Sequence, residues 1–131
     1  MDGQGTLTTL SGALKDQGYS FDTRFKSADG KAGTNPEELI AAAHAGCYSM
    51  AVAFALSKAG TPPQELKCRA EVSLSKNEGG FKIDSIHLVM VGAVAGLATD
   101  KFVELAEIAK TNCPISRALS AVPITLDASL S

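Results

Sequence analysis

The period of apolar and polar positions changes several times along the chain, and each change predicts an element. The longest uninterrupted pattern runs from Leu39 to Leu56 without one acidic or basic residue other than His44. Thr34 or Asn35 is a capping residue, Pro36 suits a first helical turn, and Glu37 and Glu38 favour the positive end of the helix dipole. The helix should run to about Ala59 and stop at Gly60-Thr61-Pro62-Pro63. It is apolar nearly all round, so it needs cover on all sides. One small domain covers a helix that completely only with difficulty, which points to a second subunit. The run also has about the length of a membrane span. His44, Gly46, Tyr48, Ser49, the many alanines and the charged Pro-Glu-Glu start favour a buried central helix instead.

Around this helix the pattern is mostly of period two. Gly5 to Leu14 reads as a β segment broken at Ser11-Gly12. Tyr19, Phe21, Thr23 and Phe25 alternate with Ser20, Asp22 and Arg24, predicting a strand with an aromatic face and Arg24 on the other side. Residues 26–33 form a loop. Leu66, Cys68, Ala70, Val72 and Leu74 alternate with polar residues as a half-buried strand. Asn77-Glu78-Gly79-Gly80 turns the chain, and Phe81 to Val91 returns as the hairpin partner.

Residues 92–98 connect to a second helix that Thr99 caps. Phe102, Leu105, Ala106, Ala109 and Cys113 share one face of it. Pro114 interrupts that helix and a short turn follows from Ile115 to Leu119. Val122 to Leu126 is a last strand, which Pro123 assigns to a sheet edge. The order β-β-α-β-β-α-β predicts an α+β architecture with antiparallel sheets.

A length of 131 residues predicts a single domain, residues 1–131. Hydrophobic residues make up 45% and charged residues 20%, the balance of a globular chain with its own core. A net charge of -2 with scattered cations excludes a nucleic-acid footprint, and no partner of that kind is expected. The start, Met1-Asp2-Gly3-Gln4-Gly5, does not read as a signal peptide, so a cytoplasmic location is expected. Three cysteines with no CxxC do not form a secreted disulfide framework. In a reducing compartment any disulfide among them is transient and chemical. A Gly-rich phosphate loop and a GxSxG elbow are both absent from the sequence.

Chemistry therefore rests on the thiols. Cys47 lies inside the apolar helix, in Ala41-Ala42-Ala43-His44-Ala45-Gly46-Cys47-Tyr48. Cys113 lies where the second helix must break, in Asn112-Cys113-Pro114. Cys68 lies on the inward face of an alternating strand and reads as packing. His44 and Cys47 share a helix side, a spacing at which side chains often only pack. No second ligand cluster accompanies them, so no metal is expected. His87 reads as a structural strand residue.

The segment Thr34 to Met50, with Asp22-Thr23-Arg24-Phe25 before it and Asn112-Cys113-Pro114 after it, resembles the OsmC/Ohr family of osmotically inducible and organic hydroperoxide resistance proteins. The likeness covers nearly the whole chain and lies closer to the OsmC branch. It implies an intertwined homodimer with two central helices flanked by antiparallel sheets. It implies a thiol peroxidase that reduces organic hydroperoxides to alcohols. Cys47 matches the peroxidatic cysteine and Cys113 the resolving cysteine. Arg24 matches an arginine beside the reactive sulfur, and Glu37 a glutamate that pairs with that arginine. Glu38 is the capping or surface carboxylate. No cofactor is implied; an external dithiol, of the lipoyl type in the family, is the reductant. Members usually begin with one more strand, most of which this chain lacks before Gly5-Thr6-Leu7-Thr8.

Cys47 needs a thiolate, and a free thiol is only a few per cent ionised at neutral pH. Burial raises a thiol's pKa further, so a fixed cation must compensate. A guanidinium about 4 Å from the sulfur contributes up to ~4 kcal/mol in a partly screened site. Glu37 and Cys47 are ten positions apart on one helix, roughly 15 Å along its axis. Glu37 therefore cannot position an arginine at the Cys47 of its own straight helix, and a site shared by two subunits is the simplest solution. Phe54, Met50, Tyr48 and Leu39 supply apolar surroundings suited to an organic peroxide. Two other functions compete: a non-enzymatic stress protein that binds an apolar ligand between subunits, and a cysteine hydrolase or acyl-transferase using Cys47 and His44.

Overall fold

The computed structural model describes residues 2–131, which fall into two compact units, one ending at Leu39 and the other spanning Ile40–Ser131. In the first unit, β1 (Gly5–Leu7) pairs antiparallel with β2 (Gln17–Tyr19), Gly5 opposite Tyr19 and Leu7 opposite Gln17. The first β segment thus ends at Leu7, not Leu14. Beyond it the chain turns through hydrogen bonds from the Thr9 and Gly12 amides to Leu14 and Thr9 carbonyls.

The expected aromatic strand at 19–25 is instead β2 followed by a helix, α1 (Phe21–Phe25). Ser20 accounts for the difference. Its hydroxyl accepts from the Thr23 amide at 3.1 Å, and the Thr23 hydroxyl accepts from the Ser20 amide at 3.0 Å. This reciprocal cap satisfies two amides that a helix start leaves bare, and over seven residues it outweighs a period-two pattern. Thr23 also donates to the carbonyl of Thr34 at 2.9 Å, fixing α1 to the second residue before the long helix.

That helix, α2 (Pro36–Lys58), starts as its sequence requires. The Asn35 side chain accepts from the Glu38 amide at 2.8 Å, and Thr34 donates to the Glu38 carboxylate at 2.6 Å. At its far end Gly60 takes φ 81° and the Thr61 amide reaches back to the Leu56 carbonyl at 3.0 Å. That left-handed residue ends the helix, and glycine adopts it without a Cβ clash.

In the second unit α2 buries one stripe, His44, Tyr48, Val52 and Leu56, spaced four apart. Met50 and Phe54, on the opposite stripe, are 74% and 72% exposed. Within this unit the helix is therefore covered on one side and not all round. By length and composition α2 is also long and apolar enough to cross a membrane.

Strands β3 (Glu65–Asn77) and β4 (Gly80–Ala93) form the expected hairpin. Helix α3 (Thr99–Asn112) and short helix α4 (Pro114–Ala118) follow, then β5 (Ile124–Leu130). Thr99 is the first residue of α3; Ala98 occupies the cap position and makes no side-chain cap bond. The sheet order is β3-β4-β5, so β5 is an edge strand, but it runs parallel to β4. The α3–α4 crossover returns the chain to the end of the sheet from which β4 set out, which a hairpin cannot do.

Alternate residues Ile86, Leu88 and Met90 of β4 are buried with Phe102, Leu105 and Ala109 of α3 and the α2 stripe. Each such large side chain contributes about 1.5–3 kcal/mol by leaving water. Gly92 is part of this fit: a Cβ there would stand 2.6 Å from the Phe102 ring.

Candidate active site

Helix α2 carries Cys47 one turn after buried His44 and next to buried Tyr48. The Tyr48 hydroxyl donates to the Ala106 carbonyl at 3.1 Å, which fixes α2 against α3. Burial raises the Tyr48 pKa, so it stays a phenol and a structural strut. Cys113 is where α3 ends and α4 begins, with a backbone (φ -58°, ψ 123°) that belongs to neither helix. Pro114 enforces this break, because its ring disfavours the helical conformation in the residue before it.

The result is a pair of free thiols with sulfurs 3.3 Å apart, Cys113 donating to Cys47. Cys113 is fully buried and Cys47 partly buried. A disulfide requires a closure of about 1 Å to reach its ~2.05 Å bond.

Several influences act on Cys47. The largest is the Ile115 backbone N–H, which donates to the sulfur and lowers its pKa. Burial and the adjacent Cys113 thiol raise it and together prevail, so Cys47 sits above an ordinary thiol. Pro114 has no N–H, so Ile115 supplies the first free donor of α4. Cys113 was legible in the sequence as a helix-break residue; the Ile115 donor was not, because a backbone amide carries no residue signature.

Cys47 also lines an apolar cavity of about 740 Å³ with Met50, Phe54, Lys58, Leu105 and Ile108. Met50 and Phe54 surround the thiol as expected. Tyr48 instead faces the core, and Leu39 is not among the lining residues.

Arg24 and Glu37 meet in the first unit. The Arg24 Nε donates to Glu37 Oε2 at 3.1 Å and Nη2 to Oε1 in a second, shorter bond, a two-pronged pair. Their side chains are 26% and 12% exposed, and the guanidinium stacks 5.0 Å from the Phe25 ring centre. The arginine expected on a strand therefore stands in the last turn of α1, between a carboxylate and an aromatic face.

Cys68 lies on β3, partly buried and packed against the core; its thiol donates to the Arg69 carbonyl at 3.9 Å, and burial raises its pKa. His44 does not pair with Cys47. Its Nε2 meets the Ser116 hydroxyl at 2.8 Å, and burial lowers its pKa, leaving a neutral ring. That removes the orienting base a Cys–His hydrolase needs. His87 on β4 bridges Thr125 at 2.7 Å and Asp127 at 3.1 Å on β5, a strand-to-strand tie. Among the described residues no group of three or more His, Cys, Asp or Glu is arranged to hold a metal ion.

Known proteins resemble this chain in sequence and fold. The family model for OsmC-like proteins matches residues 28–127. Peroxiredoxin OsmC of Escherichia coli (strain K12) is 47% identical over 125 residues, 95% of this chain and 85% of that protein. The organic hydroperoxide resistance protein OhrB of Bacillus subtilis (strain 168) is 34% identical over 118 residues, 87% of this chain and 80% of that one. The crystal structure of an organic hydroperoxide resistance protein OsmC from Legionella pneumophila superposes with a TM-score of 0.73 at 26% identity, covering 93% of this chain and 86% of that one. A match over most of the chain, together with the higher identity to OsmC than to OhrB, establishes that the chain belongs to the OsmC/Ohr family and lies nearer its OsmC branch.

Proposed function

We propose that the chain is a thiol-dependent peroxidase that reduces organic hydroperoxides, with Cys47 as attacking thiol and Cys113 as resolving thiol. The observation that carries this reading is the 3.3 Å thiol pair, one sulfur on an apolar cavity and the other fully buried. The names of the relatives, peroxiredoxin and organic hydroperoxide resistance protein, agree with it.

The Cys47 thiolate attacks the terminal oxygen of ROOH. The O–O bond breaks, the alkoxide takes a proton to leave as ROH, and Cys47 becomes a sulfenic acid. The Cys113 thiol then displaces the sulfenic oxygen as water, and a Cys47–Cys113 disulfide forms. A dithiol reductant restores both thiols by exchange, its own sulfurs ending as a disulfide. Cys113 is closed to solvent, so the reductant attacks Cys47 through the cavity and Cys113 leaves. A lipoyl-type dithiol, apolar with two thiols close together, fits that route.

The raised pKa of Cys47 calls for a cation. In this reading Arg24, held by Glu37, is that cation. Glu37 and Cys47 lie about 15 Å apart along one helix, so each pair serves the Cys47 of a second copy. The exposed Met50 and Phe54 stripe of α2 supports the same homodimer. The location expected is the cytoplasm, where thiols are reduced between turnovers.

The test is intact mass with peptide mapping after one equivalent of cumene hydroperoxide without reductant. Loss of two hydrogens, mapped to a Cys47–Cys113 bridge, is the expected result. Three unchanged thiols would remove the peroxidase reading and leave the cavity as a binding site for an apolar ligand.

A further inference from the structure

One buried polar pair has no part in the reaction described above. His44 and Ser116 are 72 positions apart in sequence, 0% and 6% exposed, and joined at 2.8 Å. His44 stands one turn before Cys47 on α2. Ser116 directly follows Ile115 on α4, whose N–H acts to lower the Cys47 pKa, and α4 begins at Cys113, whose sulfur stands 3.3 Å from that of Cys47. The bond therefore ties the turn that carries the attacking thiol to the turn that carries both the donor to it and, at its start, Cys113.

The ring's other nitrogen sharpens the point. His44 Nδ1 is buried with no hydrogen-bond partner. A neutral imidazole carries one proton. An unsatisfied buried N–H costs more than an unsatisfied lone pair has been found to, so the proton belongs on Nε2, donated to Ser116. An apolar side chain would fill the same space with no bare nitrogen. What an apolar side chain lacks is the bond to Ser116.

We infer that His44 is a positioning residue, which acts through Ser116 to hold the first turn of α4 with its Ile115 N–H on the Cys47 sulfur. This rests on Cys47 being the reacting thiol. It assigns the histidine of the Ala-His-Ala-Gly-Cys run to neither proton transfer nor metal binding.

Three substitutions test it: Ser116→Ala, His44→Asn and His44→Gln. A glutamine amide extends to where Nε2 sits, whereas an asparagine amide reaches only as far as Nδ1. The readout is the alkylation rate of Cys47 by iodoacetamide against pH, followed by peptide mapping on the reduced full chain. Ser116→Ala and His44→Asn should raise the midpoint by about 0.5–1 pH unit and slow alkylation at pH 7 about three- to tenfold. His44→Gln should restore most of the wild-type profile. Unmoved midpoints in all three, with only thermal stability reduced, would make the pair mere packing and overturn the inference. If the histidine variants do not fold, Ser116→Ala, which loses a single hydroxyl, decides alone. Alkylation needs no peroxide, so a shifted midpoint in a protein without peroxide turnover would sink the peroxidase reading and keep this one.

Discussion

The two faces of α2 are built from similar residues and end in opposite environments. His44, Tyr48, Val52 and Leu56 are fully buried against β4 and α3. Met50 and Phe54 are mostly exposed and line a cavity. Both faces are apolar, so hydrophobicity did not choose between them; the sheet and α3 cover only one side. Cys47 lies between the two, touching a buried thiol on one side and an open cavity on the other. That seam gives a single sulfur access to a substrate and to an internal partner at once. Cys68 gives the contrast. It too is a partly buried thiol packed against the core, but its hydrogen bond goes to the Arg69 carbonyl rather than to a second sulfur, and it is not among the residues that line the cavity at Cys47.

The largest expected effect breaks the seam itself. Cys47→Ser should reduce peroxide turnover to the uncatalysed background while Cys68→Ser keeps most of it, read by alcohol formation from cumene hydroperoxide. Equal activity in the two variants would erase the distinction between these thiols. Cys113→Ser should leave the first step intact and stop the second. A sulfenic acid then accumulates at Cys47 and is captured by a sulfenate-specific reagent, and in excess peroxide it proceeds to sulfinic acid.

Truncation on each face sharpens the comparison further. Leu56→Ala should cost about 2–5 kcal/mol in denaturant unfolding, because the core cannot close over the lost volume. Phe54→Ala should cost less than about 1 kcal/mol in a single chain, being a largely exposed site, and instead raise the KM for bulky hydroperoxides. A reversal of these two outcomes would mean that the open face is the better covered one in solution.

The smallest effect is a pH dependence of stability. His44 is buried neutral, with its folded-state pKa below the ordinary 6.5. The unfolded chain therefore binds more protons between the folded value and 6.5, so stability rises with pH through that window. Stability should be fully present above about pH 6.5 and decline as pH falls through the folded value. In His44→Gln this part of the decline should be absent, measured by urea midpoints from pH 7.5 downward.

Much of this was readable from residues alone, and the reasons are local. The Asn35 cap, Pro36, Glu37, Glu38 and Gly60 bound α2 within a residue of its observed ends, because each acts on the backbone beside it. The hairpin of β3 and β4 followed from the alternation of residues 66–74 and the Asn77–Gly80 turn, and the buried face of α3 from its helical period. Residues 19–25 misled for the same local reason. Aromatics alternate there with polar residues, but the Ser20–Thr23 cap is stronger than so short an alternation. The break at Pro114 was legible; the direction of the strand after it was not.

What the chain alone could not tell is set by contacts between distant positions. The parallel pairing of β5 with β4 depends on how the α3–α4 crossover packs, and no residue encodes it. Cys47 and Cys113 are 66 positions apart and meet at 3.3 Å only because Tyr48 fixes α2 against α3 and Pro114 turns the chain there. The Ile115 donor is a backbone amide, identical in chemistry to every other until the fold aims it. Local propensity determined the helices, the hairpin and the candidate thiols. Tertiary packing decided which thiols meet, which side of α2 stays open, and that His44 serves Ser116 rather than Cys47.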